Sequence, residues 1–160
     1  MTSPAVLIAQ QLPTTSPERK VEVGSRHGDV TTAADWVGRA LYMCGFALEV
    51  VADSQKRSFR SDLANRGTFI TTGLWSIGRH PNYFGEIMLW WGIYLRAFPA
   101  LRERAEYVAA GAVSPFFITF LLTRVSGIPL LERAAQKRWG SDVAYQAYAR
   151  STAVLIPGVW

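Results

Sequence analysis

From Tyr107 to Thr123 the chain runs for 17 residues without a charge, and 12 of these are apolar or aromatic. At about 1.5 Å of rise per residue this makes a helix of about 26 Å, and its flanks extend it to the roughly 30 Å of a bilayer's hydrocarbon core. Two weaker stretches repeat the pattern: Ala33 to Ala52, interrupted by Asp35, Arg39 and Glu49, and Pro81 to Phe98, interrupted by Glu86 and Arg96. Buried helices of a soluble protein would read the same way. Trp75, Trp90, Trp91 and Trp139 lie near the proposed ends, where indole rings are enriched at membrane surfaces, and this favours spans.

The opening segment differs in kind. Its apolar run AVLIA is too short for a signal-peptide core, and QQLPTTSPERKVEVGSRHGD has the composition of a loop. The expectation is an all-α integral membrane helical bundle over residues 33–160, with about three transmembrane helices and short cytosolic C-terminal helices. Residues 1–32 are expected as a flexible polar lead-in.

Composition sharpens this. The chain has 160 residues, with 17 Lys and Arg against 12 Asp and Glu. A pI near 9.7 suits a nucleic-acid binder, but such a domain is charge-dense and this one is only 18% charged, with six Trp, six Tyr and eight Phe. Lipid is the better partner and nucleic acid is not expected. One cysteine, Cys44, excludes an internal disulfide framework and any multi-cysteine zinc site, and no metal is expected. Five basic residues lie in 53–82, four in 125–160 and two in the turn 99–105. Two crossings separate the first group from the second, so both share one face, which the positive-inside rule makes cytosolic. The C-terminus is then cytosolic.

Three clusters can carry chemistry. Asp53, Lys56, Arg57 and Arg60 are spaced 0, +3, +4 and +7, one face of a helix leaving the first span. Such a face holds phosphates, or else snorkels to lipid headgroups. In GLWSIGRHPNYFGE, His80 is expected to be extended and Pro81 to open a helix whose free amides sit beside Arg79 and His80, a setting for anions. Asn82 and Glu86 follow one turn apart on one face. A carboxyl group at membrane depth is costly when ionised, so Glu86 is expected either to donate a hydrogen bond to a substrate carbonyl as a neutral acid or to pair with Arg79 or Lys56. In the tail, Glu132, Arg133, Lys137 and Arg138 read as a polar helix. Tyr145 and Tyr148 lie three apart in a second short one, where they either anchor a helix at an interface or stack on a nicotinamide or adenine ring.

Together these motifs resemble the C-terminal domain of the steroid 5-alpha-reductase family, particularly its DUF1295 branch of integral membrane proteins. The residues that carry the resemblance are ADSQKRSFR, GLWSIGRHPNYFGEIMLWWGIYL, FLLTRVSGIPLLE and YQAYARSTAVLIP, within Val50 to Trp160. The resemblance implies an NADPH-dependent reduction of a carbon–carbon double bond in a lipophilic substrate, steroid-like, sterol or fatty enone, inside a membrane, as part of lipid metabolism. It places Lys56, Arg60, Arg79, His80, Asn82, Tyr145 and Tyr148 at the cofactor, where Asp53 is expected with them from the same helix face, and makes Glu86, with Tyr83, the donor to the substrate carbonyl. The membrane is the endoplasmic reticulum or another internal membrane in a eukaryote and the plasma membrane in a bacterium. The resemblance also implies further membrane helices ahead of this domain, for which 160 residues is short.

Two other classes compete. Membrane methyltransferases of the isoprenylcysteine or phospholipid type share an Arg-His-Pro segment and spaced tail tyrosines, but carry a Glu-Glu pair for S-adenosylmethionine where this chain has Leu131 and Glu132. A non-catalytic membrane scaffold or remnant is the third reading.

Overall fold

A computed structural model describes residues 32–155, so all but the last residue of the expected lead-in lies outside the described residues. Five α-helices carry the fold: α1 (Ala33–Ser61), α2 (Pro81–Leu101), α3 (Ala105–Phe120), α4 (Ile128–Trp139) and α5 (Val143–Ser151). Short 3-10 turns at Leu63–Asn65 and Gly73–Ser76 and a π-helical turn at Leu121–Val125 link them. The protein is all-α among the described residues, as expected.

Thr32 opens α1 with a capping box: its hydroxyl accepts from the Asp35 amide at 3.3 Å while the Asp35 carboxylate accepts from the Thr32 amide at 2.9 Å. With 29 residues, α1 runs well past its apolar part, so Lys56 and Arg60 ride on the same rod. Its partner α2 lies antiparallel and very close. The buried residues of α1 are Gly38, Gly45 and Ala52, seven apart, and those of α2 include Gly85 and Gly92, also seven apart. A repeat of seven keeps small residues on one stripe of each helix. A Cβ on Gly45 would stand 2.5 Å from the Gly85 carbonyl oxygen, and one on Gly92 would stand 2.5 Å from the Tyr42 amide nitrogen. The two backbones therefore touch, as small-residue helix pairs do in lipid.

The large apolar residues point the other way. Trp36 and Met43 on α1 and Phe116, Phe117 and Phe120 on α3 are each more than half exposed. Among the described residues one helical run, Ala105–Trp139, is long and apolar enough to cross a membrane. The other two expected spans, α1 and α2, are helices of ample length, but their ionisable residues hold them below that apolarity.

Two of the tryptophans expected at membrane boundaries do other work. Trp75 is buried, its indole N–H donating to the Ala52 carbonyl at 3.0 Å, and the Trp139 indole donates to the Gly67 carbonyl at 2.6 Å. Trp91 ties α2 to α3, donating to Thr119 Oγ1 at 3.2 Å and packing edge-on against Phe116.

The tail is drawn back over the Arg-His-Pro segment. Gly78 pairs with Ala153 in a single parallel bridge, the Arg79 amide donates to the Ala153 carbonyl at 2.9 Å, and the His80 amide donates to the Val154 carbonyl at 3.1 Å. Residues 78–80 and the chain after α5 are thereby held as one piece.

Candidate functional site

A cleft of about 470 Å³ opens between the polar end of α1, the segment after it, the Arg79–His80 pair, and the inner faces of α4 and α5. Its walls carry five cations, Lys56, Arg60, Arg66, Arg79 and Arg138, and the rings of Phe69, Trp75, Trp139, Tyr145 and Tyr148. The volume lies within the range of small-molecule sites. No group of three or more metal-ligating side chains occurs among the described residues.

The cations are set against aromatic faces. Lys56 Nζ sits 4.6 Å from the Trp75 ring centroid, and the Arg138 guanidinium sits 4.7 Å from that of Trp139. Burial pulls the Lys56 ammonium below the usual lysine range, and the neighbouring Arg60 charge adds to this. An anionic ligand would relieve both effects.

Glu132 organises the far wall. Its Oε1 lies 2.7 Å from His80 Nε2 and its Oε2 3.3 Å from an Arg79 terminal nitrogen, while the other Arg79 terminal nitrogen donates to the Ala149 carbonyl at 3.2 Å. Burial pushes the Glu132 carboxyl up, but the hydrogen bond from His80 and the charges of Arg79 and His80 outweigh it, and the group ends below its ordinary range. Two polar atoms beside it, Arg79 Nε and His80 Nδ1, are buried without a hydrogen-bond partner among the described residues. Such orphans are costly, and they mark this corner as one that accepts further polar atoms. Tyr148 closes the wall by donating from its hydroxyl to the Trp75 carbonyl at 2.6 Å. Its hydroxyl is pushed up to about 12, chiefly by burial, so it stays a donor across the working pH range.

A pH dependence follows. A carboxyl held below its ordinary value near 4.5 in the folded state stabilises the fold above that value, and the contribution is lost as pH falls through the lower folded value. Wild type is expected to melt above Glu132→Gln at neutral pH, with the gap closing as pH drops below about 4.5. Thermal melts of the two proteins across pH 3 to 7 would measure it. A gap that does not change with pH would remove the charge of Glu132 from the account.

The expected site residues fall in two groups. Lys56, Arg60, Arg79, His80, Tyr145 and Tyr148 all line the cleft. Asp53, Asn82, Tyr83 and Glu86 do not. Glu86, Tyr83 and Glu49 lie instead within electrostatic reach of Asp53, along the α1–α2 contact. The His80 ring joins the two groups, stacking on Tyr83 with centroids 5.8 Å apart and planes 12° from parallel. Arg79 pairs with Glu132 and Lys56 sits over Trp75, in place of the pairing with Glu86 that spacing allowed. His80 sits at the N-cap of α2 with φ −137 and ψ 58, short of the extended conformation expected of it, while Pro81 opens the helix as expected. Glu132, Phe69 and Trp139 escaped the sequence reading as site residues.

These residues define the class: an all-α protein that carries a cationic, ring-lined cleft beside an Arg-His-Pro helix start. The chain belongs to the DUF1295 family, described as a protein of unknown function, whose model matches residues 6–152. It is similar to an uncharacterized protein of Schizosaccharomyces pombe, at 33% identity over 81 residues, which cover 39% of this chain and 24% of that protein. The matched part is thus about a quarter of that curated relative's length. No solved structure matches the chain.

Proposed function

We propose that this chain is the cofactor-binding part of a membrane-embedded, NADPH-dependent reductase of the steroid 5-alpha-reductase type, acting on a carbon–carbon double bond of a lipophilic substrate. The observation that carries the reading is the meeting of five cations with a set of aromatic rings on one cleft, built around residues 78–80. A dinucleotide with three phosphates and two flat rings asks for that mixture of donors and stacking faces. The two buried, unpartnered nitrogens of Arg79 and His80 fit a polar ligand as well.

Lys56 and Arg60 would hold phosphate, Arg79 and His80 would meet polar atoms of the cofactor, and Tyr145 and Tyr148 would face its rings. The bound cofactor would supply a hydride. Glu132 fixes the rotamers of Arg79 and His80, so these donors are oriented before any ligand arrives. Beyond the His80–Tyr83 stack, Glu86 and Tyr83 lie on the α1–α2 side, where Glu86 as a neutral acid would donate to the substrate carbonyl oxygen and raise the acceptor character of the β-carbon.

The reading includes a multi-pass membrane bundle, with α1, α2 and the run through α3 as three spans and the cleft and C-terminus on the cytosolic face. Small residues packed inside and exposed Trp36, Met43, Phe116 and Phe117 outside support it, since that arrangement suits lipid. The membrane is internal, such as the endoplasmic reticulum, in a eukaryote and the plasma membrane in a bacterium.

Turnover tests the chemistry. With the full chain in nanodiscs and a lipophilic α,β-unsaturated ketone, NADPH consumption is expected, and Glu86→Gln is expected to lower it by about 100-fold while leaving NADPH affinity within about twofold. Unchanged turnover in Glu86→Gln would remove that residue from the reaction.

A further inference from the structure

Phe69 occupies the centre of the cleft's ring cluster. Its centroid lies 5.7 Å from Trp139, 5.2 Å from Tyr145 and 5.8 Å from Tyr148, edge-on to the first two and within 28° of parallel to the third. This is the setting a flat ligand ring would have, and a side chain of the protein fills it.

The segment that carries Phe69 has pivots at both ends. Among the described glycines only Gly67 and Gly73 have a left-handed backbone, at φ +85 and +62, and they bracket residues 68–72. Those five residues belong to no helix or strand, and Phe69, Ile70, Thr71 and Thr72 donate no backbone hydrogen bond to another described residue. Beyond the pivots the chain is pinned: the Leu74 amide donates to the Gln55 side chain at 3.0 Å and Trp75 donates to Ala52. At the other end the Thr68 amide and hydroxyl donate to the Asn65 carbonyl at 3.1 and 2.7 Å, closing the turn through Gly67, and the Trp139 indole donates to the Gly67 carbonyl at 2.6 Å. The last of these bonds comes from a residue of the ring cluster itself.

We propose that Phe69 is a removable occupant. The space between Trp139, Tyr145 and Tyr148 is a subsite for a planar aromatic ring of a ligand, and Phe69 withdraws from it as residues 67–73 turn about Gly67 and Gly73. Exchanging one ring for another conserves the stacking contacts, so the swap is close to neutral and the ligand's phosphates, meeting Lys56 and Arg60, tip it. Without ligand the apolar rings stay covered. The inference rests on the reading of the cleft as a cofactor site and adds its gate.

The test uses the full chain in detergent micelles with 4-fluorophenylalanine in place of Phe69, observed by fluorine NMR. In the absence of ligand the resonance is expected to be displaced by the surrounding rings. Saturation with NADPH is expected to move it to the value of solvent-exposed fluorophenylalanine, whereas inorganic pyrophosphate, an anion without a ring, is expected to leave it in place. Phe69→Ala is expected to tighten NADPH binding by about fivefold, because no side chain then has to be displaced. At Gly67 a Cβ would meet nothing within 4 Å, so Gly67→Ala acts through the backbone alone and is expected to populate the exposed resonance without ligand, while Gly67→Asn stays close to wild type. If S-adenosylmethionine or adenosine moves the signal and NADPH does not, the gate stands and the reductase reading falls. If none of these three ring-bearing compounds moves it, or if Phe69→Ala weakens NADPH binding, the gate is overturned.

Discussion

Gly45→Val is expected to cost about 3 kcal/mol or more of stability and to part α1 from α2. The reason is the identity of the atoms it would strike. A Cβ at this position stands 2.5 Å from the Gly85 carbonyl oxygen and 2.7 Å from the Leu89 amide nitrogen, both backbone atoms with no rotamer to give way. Relief requires the helices to separate, and separation loosens every small-residue contact from Gly38 to Ala52 together. Thermal denaturation of the chain in detergent measures the effect, with Trp36→Ala as control, since Trp36 is 62% exposed and its loss is expected to change stability little. A Gly45→Val protein as stable as wild type would show that the two helices do not touch along this stripe.

The second large effect concerns ligand. Lys56→Ala and Arg60→Ala are each expected to weaken NADPH binding by about 10- to 100-fold, the scale of a lost charge-assisted hydrogen bond. NADH is expected to suffer less from at least one of them, because it lacks the 2′-phosphate. Arg57→Ala supplies the contrast. Arg57 shares the charged helix stretch but is exposed and does not line the cleft, so its loss is expected to leave both cofactors unaffected. Equal losses for NADPH and NADH in both cleft variants would move the 2′-phosphate contact to another cation of the cleft, such as Arg66 or Arg138.

The contrast between Lys56 and Arg57 also marks how far the sequence reaches. Helical spacing put four charged residues on one stripe, yet only two of them border the cleft, because the stripe is wider than the wall that α1 contributes. The helix start at Pro81 was legible, since proline fixes its own φ and has no amide to lose there. The α1–α2 seam was hidden although its period is plain in hindsight. Hydropathy weighs large apolar residues, and the residues that bring these backbones together are glycines.

Trp75 and Trp139 carried the same signal as interfacial indoles, and only the fold shows that they bind backbone carbonyls beside the cleft. Glu132 lies 52 residues from His80, and no local pattern pairs them. The nearest hint was its place where the competing methyltransferase reading expects an acidic pair. Phe69 lies between two glycines in a segment with no periodicity, so spacing arguments had no hold on it.

The proposed function stands or falls with the binding of a phosphorylated dinucleotide in the cleft. Titration of the full chain in nanodiscs with NADPH, and in parallel with S-adenosylmethionine, tests it most directly. Saturable NADPH binding that Lys56→Ala weakens is expected, with no saturable S-adenosylmethionine signal. Saturable binding of S-adenosylmethionine without NADPH, or binding of neither, would contradict it.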